Sequence, residues 1–199
     1  MIPIIQQPAP ADFEQKVRKK GLAWLKKKNI NVSLAKPPNV KLPDYWTACI
    51  PDLRAAYGSI CAYVCIYIEE VVGSATVEHF KPKSLYPSLA FEWNNYLLVC
   101  GTMNGRKGDF EDVLNPFTLP ANTFYLNLVD GEIRPNPNLS NTDTRAALDT
   151  IQRLKLNHPE CKKLRLCYWQ KFAAGTITLT ELQEKSPFVY LEAQRQGLL

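Results

Sequence analysis

The chain contains two histidines, so each is weighed individually. His79 lies in VEHFKPKS, directly after Glu78 and at the expected end of a strand. Asn95 precedes Cys100, Asn104 follows it, and Lys107, Gly108 and Asp109 complete the stretch. Hydrolysis of a phosphodiester needs a base to deprotonate water and a cation to neutralise the scissile phosphate. Histidine supplies the first near neutral pH. Carboxylate and amide oxygens are hard donors suited to magnesium. The plain alternative makes His79 a hydrogen-bonded loop histidine or the remnant of a degraded site, and gives Asn95 a turn role. His158, beside Pro159 at a helix end, reads as a capping or surface residue.

Several elements must position these residues. Ile60, Tyr63, Cys65, Tyr67 and Ile68, then Val71, Val72 and Val77, predict two short strands with a turn near Gly73 and Ser74. KPKSLYPS is expected to be a loop, because its two prolines disfavour regular pairing. The apolar run WNNYLLVC then leads into a short helix carrying Asn104 to Asp109. Upstream, a helix is expected from about Asp44, a plausible N-cap, with Trp46, Cys49, Leu53 and Tyr57 turned inward and an interruption at Pro51.

Outside this region, residues 1–10 read as a proline-rich extended arm. Phe13, Val17 and Trp24 recur near helical spacing in a lysine-rich segment broken near Gly21. That helix suits a solvated surface, a phosphate contact or a docking face. Residues 115–141 predict loops around a small hairpin. Helices follow over 142–157, 161–172 and 180–196, the last opened by a weak capping box of Thr180 and Gln183. The expected division is 1–43 for the arm and basic helix, 44–115 for the core bearing His79, and 116–199 for the hairpin region and C-terminal helices.

The 199 residues have a hydrophobic fraction of 46%, a charged fraction of 22% and a net charge of +5. These values argue against disorder over most of the length and are compatible with a polyanionic partner. No run is long and apolar enough for a membrane span, and the start lacks the pattern of a secretory signal. The six cysteines are therefore expected in a reducing cytoplasm, where metal binding is the question to ask of them.

The order Glu78-His79, Pro82, Asn95 ahead of Cys100, and Asn104 with Lys107 resembles the HNH endonuclease family. CAYVC, VEHFKPKS, the WNN run, NGRKGD, LNP and TIQRLKLNHP, over about residues 45–170, are similar to PtuB, the nuclease component of Septu antiphage systems. The resemblance implies an α+β protein with a small HNH (ββα-metal) core in a mostly helical domain. It implies His79 as general base, Glu78 and Asn104 as ligands of a catalytic Mg2+ or Mn2+, and Asn95 as brace of the loop and orienter of the histidine. Lys107 becomes a phosphate contact, although helix solubility explains it too. The implied partners are DNA, or RNA, and an ATPase of the PtuA type, with relatives accompanying retrons; no membrane is implied.

Members of that family commonly hold a zinc through two CxxC pairs. Here Cys61 and Cys65 are separated by three residues, and the second pair is reduced to Cys100 and Met103. A thioether is a poor zinc partner beside thiolates. The preferred reading is an apolar cluster without zinc, and the alternative recruits Cys49, Cys161 or Cys167. An active nuclease effector therefore competes with a catalytically silent adaptor that binds nucleic acid or the ATPase, while a zinc-dependent binding module is disfavoured.

Overall fold

Phe13, Val17 and Leu25 line the inner face of a helical stretch that opens with a π-helical turn, Glu14–Arg18, and continues as α1, Lys19–Lys27. The expected break at Gly21 does not occur. Gly21 is instead where the ring of Phe91 packs against the helix, and a Cβ there would lie 2.0 Å from Phe91 Cγ. Glycine is retained in the helix for close approach, at the expense of helix propensity. Arg18 holds Glu92 through Nε at 2.8 and 2.9 Å, and Phe13 meets the rings of Trp93 and Tyr96 edge-on.

The computed structural model describes all residues, Met1–Leu199, and divides them into two units. The unit containing α1 comprises residues 6–59 and 69–111. A 3-10 turn, Tyr45–Cys49, leads into α2, Ile50–Ala56, so Pro51 sits in the first helical turn, where its missing N–H is no loss. Strand β1, Ala75–His79, pairs antiparallel with β2, Tyr96–Cys100, and α3, Gly101–Lys107, follows β2 directly. Register runs from Ala75 opposite Cys100 to His79 opposite Tyr96.

The other unit comprises residues 1–5, 60–68 and 112–199. The expected small hairpin is present as β3, Phe124–Leu126, against β4, Ile133–Pro135. Four helices follow: α4, Asn141–Arg153; α5, Pro159–Ala173; α6, Leu179–Lys185; and α7, Pro187–Arg195. The side chain of Asn157 staples β4 by bonding both the N–H and the carbonyl of Ile133, each at 2.8 Å. The buried guanidinium of Arg165 donates to Gly131 O and Leu156 O. His158 is the residue before α5, with its carbonyl accepting from Lys162 N.

Two further sequence expectations need correction. Residues 60–68 form no strand beyond an isolated bridge between Ile60 and Tyr67. Cys61 to Cys65 curl into a turn closed by Cys65 N donating to Cys61 O at 2.9 Å and Cys61 N to Ile66 O at 3.0 Å. Every residue from Cys61 to Ile66 is buried, so the apolar run reflects enclosure and carries no pairing period. The partner of β1 is therefore β2. The final helix is also two helices, parted at Ser186-Pro187, and its capping box is Thr178 with Glu181 instead of Thr180 with Gln183. The α+β class stands, and no helix is long and apolar enough to cross a membrane.

Candidate active site

Alternation along β1 gives its side chains two destinations. Thr76 and Glu78 turn to α3, where Asn104 and Lys107 meet them. His79, at the end of the strand, packs against Trp46 and Tyr96, with ring centroids 4.7 and 5.1 Å away and both rings edge-on. The structure thus places Glu78, Asn104 and Lys107 in one cluster and His79 on the adjoining side of the same strand.

His79 Nε2 lies 2.9 Å from Ala90 O. A carbonyl can only accept, so Nε2 carries the proton in the neutral ring and Nδ1 keeps its lone pair. Nδ1 is buried and has no hydrogen-bond partner. Burial lowers the pKa of His79 to about 3, with Lys83, and more weakly Lys107, adding to the effect against the hydrogen bond donated to Ala90 O. The imidazole is therefore neutral throughout the physiological range, with its lone pair at the buried Nδ1.

Glu78 and Lys107 form a buried ion pair, Nζ to Oε1 at 3.3 Å, with side-chain exposures of 4% and 0%. Burial of the carboxyl outweighs the attraction of the lysine and raises Glu78 to about 7. The ammonium of Lys107 also reaches Gly108 O at 3.3 Å and stands over the ring of Phe80. It is directed inward at the carboxylate, and the phosphate-contact role suggested by sequence would require it to be released.

Asn104 Nδ2 donates to Thr76 Oγ1 at 2.9 Å and to Val77 O at 3.2 Å. Thr76 Oγ1 itself donates to Val99 O, so both partners of Asn104 act as acceptors and the amide orientation is fixed. That leaves its Oδ1 as the acceptor able to meet another ligand. One carboxylate and one amide oxygen fit a magnesium-like ion, which retains several waters and takes few protein ligands. No group of three or more His, Cys, Asp or Glu side chains is assembled as a metal cage.

Asn95 closes the loop between β1 and β2. Its Oδ1 accepts from Lys81 N at 2.7 Å, and its Nδ2 donates to Lys81 O at 3.0 Å and Leu89 O at 3.1 Å. Its own carbonyl accepts from Phe80 N. Asn95 thus grips the residues just after His79 and the turn that delivers Ala90 O, which makes it a positioning residue. Sequence reading missed Tyr96, Trp46 and Lys83. Tyr96 was signalled only by its place next to Asn95, and Lys83 only by the lysine pair in KPKS.

The four residues considered for a zinc knuckle are divided between the units: Cys61 and Cys65 in one, Cys100 and Met103 in the other. Cys65 has a positive φ of 55° and is fully buried, with its Sγ 4.0 Å from Ala62 O and Tyr63 O. Met103 is a buried residue of α3.

An α+β chain with a strand–strand–helix module, a fixed neutral histidine and a buried carboxylate–lysine pair is what these observations define. No family model matches the chain. A stretch of 61 residues, 31% of this chain, is 37% identical to a Septu protein PtuB of Bacillus thuringiensis. That stretch is 24% of the relative, so the similarity spans about a quarter of that protein's length.

Proposed function

We propose that the chain is a metal-dependent nuclease of the HNH type and the effector of an antiphage complex with a PtuA-type ATPase. The observation that carries this reading is the tautomer of His79: Nε2–H donates to Ala90 O and Nδ1 is left free. In this reading Nδ1 accepts the proton of the attacking water. Asn95 and Tyr96 hold the imidazole and its carbonyl anchor in place. Glu78 and Asn104 hold the divalent ion, Mg2+ or Mn2+, which when bound would neutralise charge on the scissile phosphate. Partial identity to PtuB supports the defence setting and the ATPase partner. DNA is the polymer the family resemblance favours, and RNA stays the alternative because none of these groups reads a 2′-hydroxyl.

A second reading, a silent adaptor, is favoured by a specific observation. His79 is only 4% exposed, and Glu78 is engaged by Lys107. The active reading therefore requires His79 Nδ1 to become exposed when substrate or partner binds. The deciding experiment is cleavage of labelled DNA and RNA by the chain, with and without its ATPase, under titration of Mg2+ and Mn2+. Metal-dependent cleavage abolished by His79→Ala supports the nuclease. Absence of cleavage in the full complex, or cleavage that persists under complete chelation, defeats it.

A further inference from the structure

Within the unit that carries His79, residues 36–46 and Lys83 enclose an open cleft of about 370 Å3. Its walls include Lys36, Lys41 and Lys83, with Pro38, Leu42 and Trp46 as apolar floor, against the single carboxylate of Asp44. None of the three lysines takes part in an ion pair, whereas Lys16, Lys81 and Lys107 of the same unit all do. Lys36 N donates to Ser84 O at 2.7 Å, which ties the cleft's outer wall to the loop after β1.

The cleft adjoins the candidate active site through one side chain. Trp46 lines it and also packs edge-on against His79, 4.7 Å between centroids. Lys83 Nζ stands 5.4 Å over the Trp46 ring, and its charge acts on both Glu78 and His79. Lys107, by contrast, is fully buried and committed to Glu78. Lys83 is therefore the half-exposed cation best placed to meet a phosphate next to the histidine.

We infer that this cleft binds the sugar–phosphate backbone of one nucleic-acid strand, with Lys36, Lys41 and Lys83 on successive phosphates and Lys83 nearest His79. The inference rests on the nuclease reading for its direction, since Trp46 joins the cleft to His79. Lysines without a carboxylate partner beside an apolar and aromatic floor are the chemistry that tracks a single strand without reading its bases.

The test is binding and needs no cleavage. A fluorescein-labelled oligothymidylate is titrated with the full chain in EDTA, at salt from about 50 to 200 mM. The triple variant Lys36→Gln, Lys41→Gln, Lys83→Gln is compared with a charge-matched control, Lys19→Gln, Lys20→Gln, Lys26→Gln, on exposed positions of α1. Melting curves verify that both remain folded. The cleft variant is expected to lose about tenfold or more in affinity and to flatten the log–log salt slope by about 2, since each single-strand contact contributes about 0.7. The control should keep most of its affinity. Failure of the unmodified chain to bind, unchanged binding by the cleft variant, or an equal loss in the control would each overturn the inference. Lysine-dependent binding by a chain that never cleaves would retire the nuclease reading and leave the cleft standing. Cleavage that needs His79 but ignores the three lysines would do the reverse.

Discussion

His79 and Tyr96 donate to the same acceptor: Nε2 and the phenolic Oη lie 2.9 and 2.8 Å from the carbonyl oxygen of Ala90. They are opposite one another in the β1–β2 register, so the strand pairing itself brings both donors to one atom. A carbonyl has two lone pairs, and both are used here. The arrangement fixes the ring, the tautomer and the free nitrogen together.

Removal of either donor should therefore affect the rate to different degrees. His79→Ala is expected to lose about 10² to 10⁴ in rate, the usual worth of a general base. Tyr96→Phe keeps the base but frees one lone pair of the anchor, and should lower kcat by a smaller factor with KM nearly unchanged. Single-turnover cleavage of both variants makes the comparison. Equal rates for wild type and His79→Ala would remove His79 from the mechanism.

Two neighbours on β1 should give stability opposite dependences on pH. His79, lowered to about 3, binds fewer protons when folded than unfolded between about 3 and its ordinary value near 6.5, so its contribution rises with pH there. Glu78, raised to about 7 by burial, binds more protons when folded between its ordinary value near 4.5 and 7, so its contribution falls as pH rises. Over the overlapping window the two partly cancel. Glu78→Gln should unmask a rise in unfolding free energy with pH, up to about 1.4 kcal/mol per unit, when denaturation is followed in EDTA. A slope for Glu78→Gln equal to that of the wild-type chain would contradict the burial of this carboxyl.

Much of the site was legible because its residues are close in sequence and chemically specific. Glu78 and His79 stand on the strand, Asn95 in the turn, and Asn104 and Lys107 on the helix that their spacing suggested. What sequence could not show was direction. Lys107 reads as a helix-surface lysine, yet it points inward to Glu78. The run from Cys61 to Ile66 has strand-forming residues, but it is buried as a turn whose hydrogen bonds close on itself. Trp46 and Tyr96 enter the site through packing, which leaves no mark in local composition.

The cysteines offer a test by elemental analysis. Protein purified without chelator is expected to carry well under one zinc per chain, because Met103 cannot supply a thiolate and the Cys61–Cys65 spacing is altered. Stoichiometric zinc, lost together with Cys61→Ser and Cys65→Ser, would show that other ligands complete a site.

Gly21 tests the packing that seats the site. On an exposed helix, Gly→Ala gains about 1 kcal/mol from helix propensity. Here the new methyl would overlap the ring of Phe91, which also packs on Trp46 at 5.8 Å between centroids. Gly21→Ala should thus destabilise, by about 1 to 3 kcal/mol as overpacked cores do, measured by urea denaturation. A gain in stability would mean that α1 can move away from Phe91 without cost.

The buried pair of Glu78 and Lys107 separates metal binding from catalysis. Lys107→Met leaves the carboxyl without its cation, a change that costs about 3 to 5 kcal/mol when the remaining group stays charged. Glu78 can escape part of that cost by keeping a proton, since burial already raises it to about 7 and loss of the lysine removes an opposing influence. The variant should therefore be less impaired at pH 6 than at pH 8, where the carboxylate is forced to ionise. A divalent ion held by Glu78 and Asn104 would supply the missing positive charge, so Mg2+ or Mn2+ should raise the Tm of Lys107→Met at pH 8 more than that of wild type. Adding Glu78→Gln or Asn104→Ala should abolish that extra gain. The readout is thermal, and needs neither substrate nor partner. A metal response identical in wild type, Lys107→Met and the double variants would place the divalent ion elsewhere in the protein and detach Glu78 from the chemistry assigned to it.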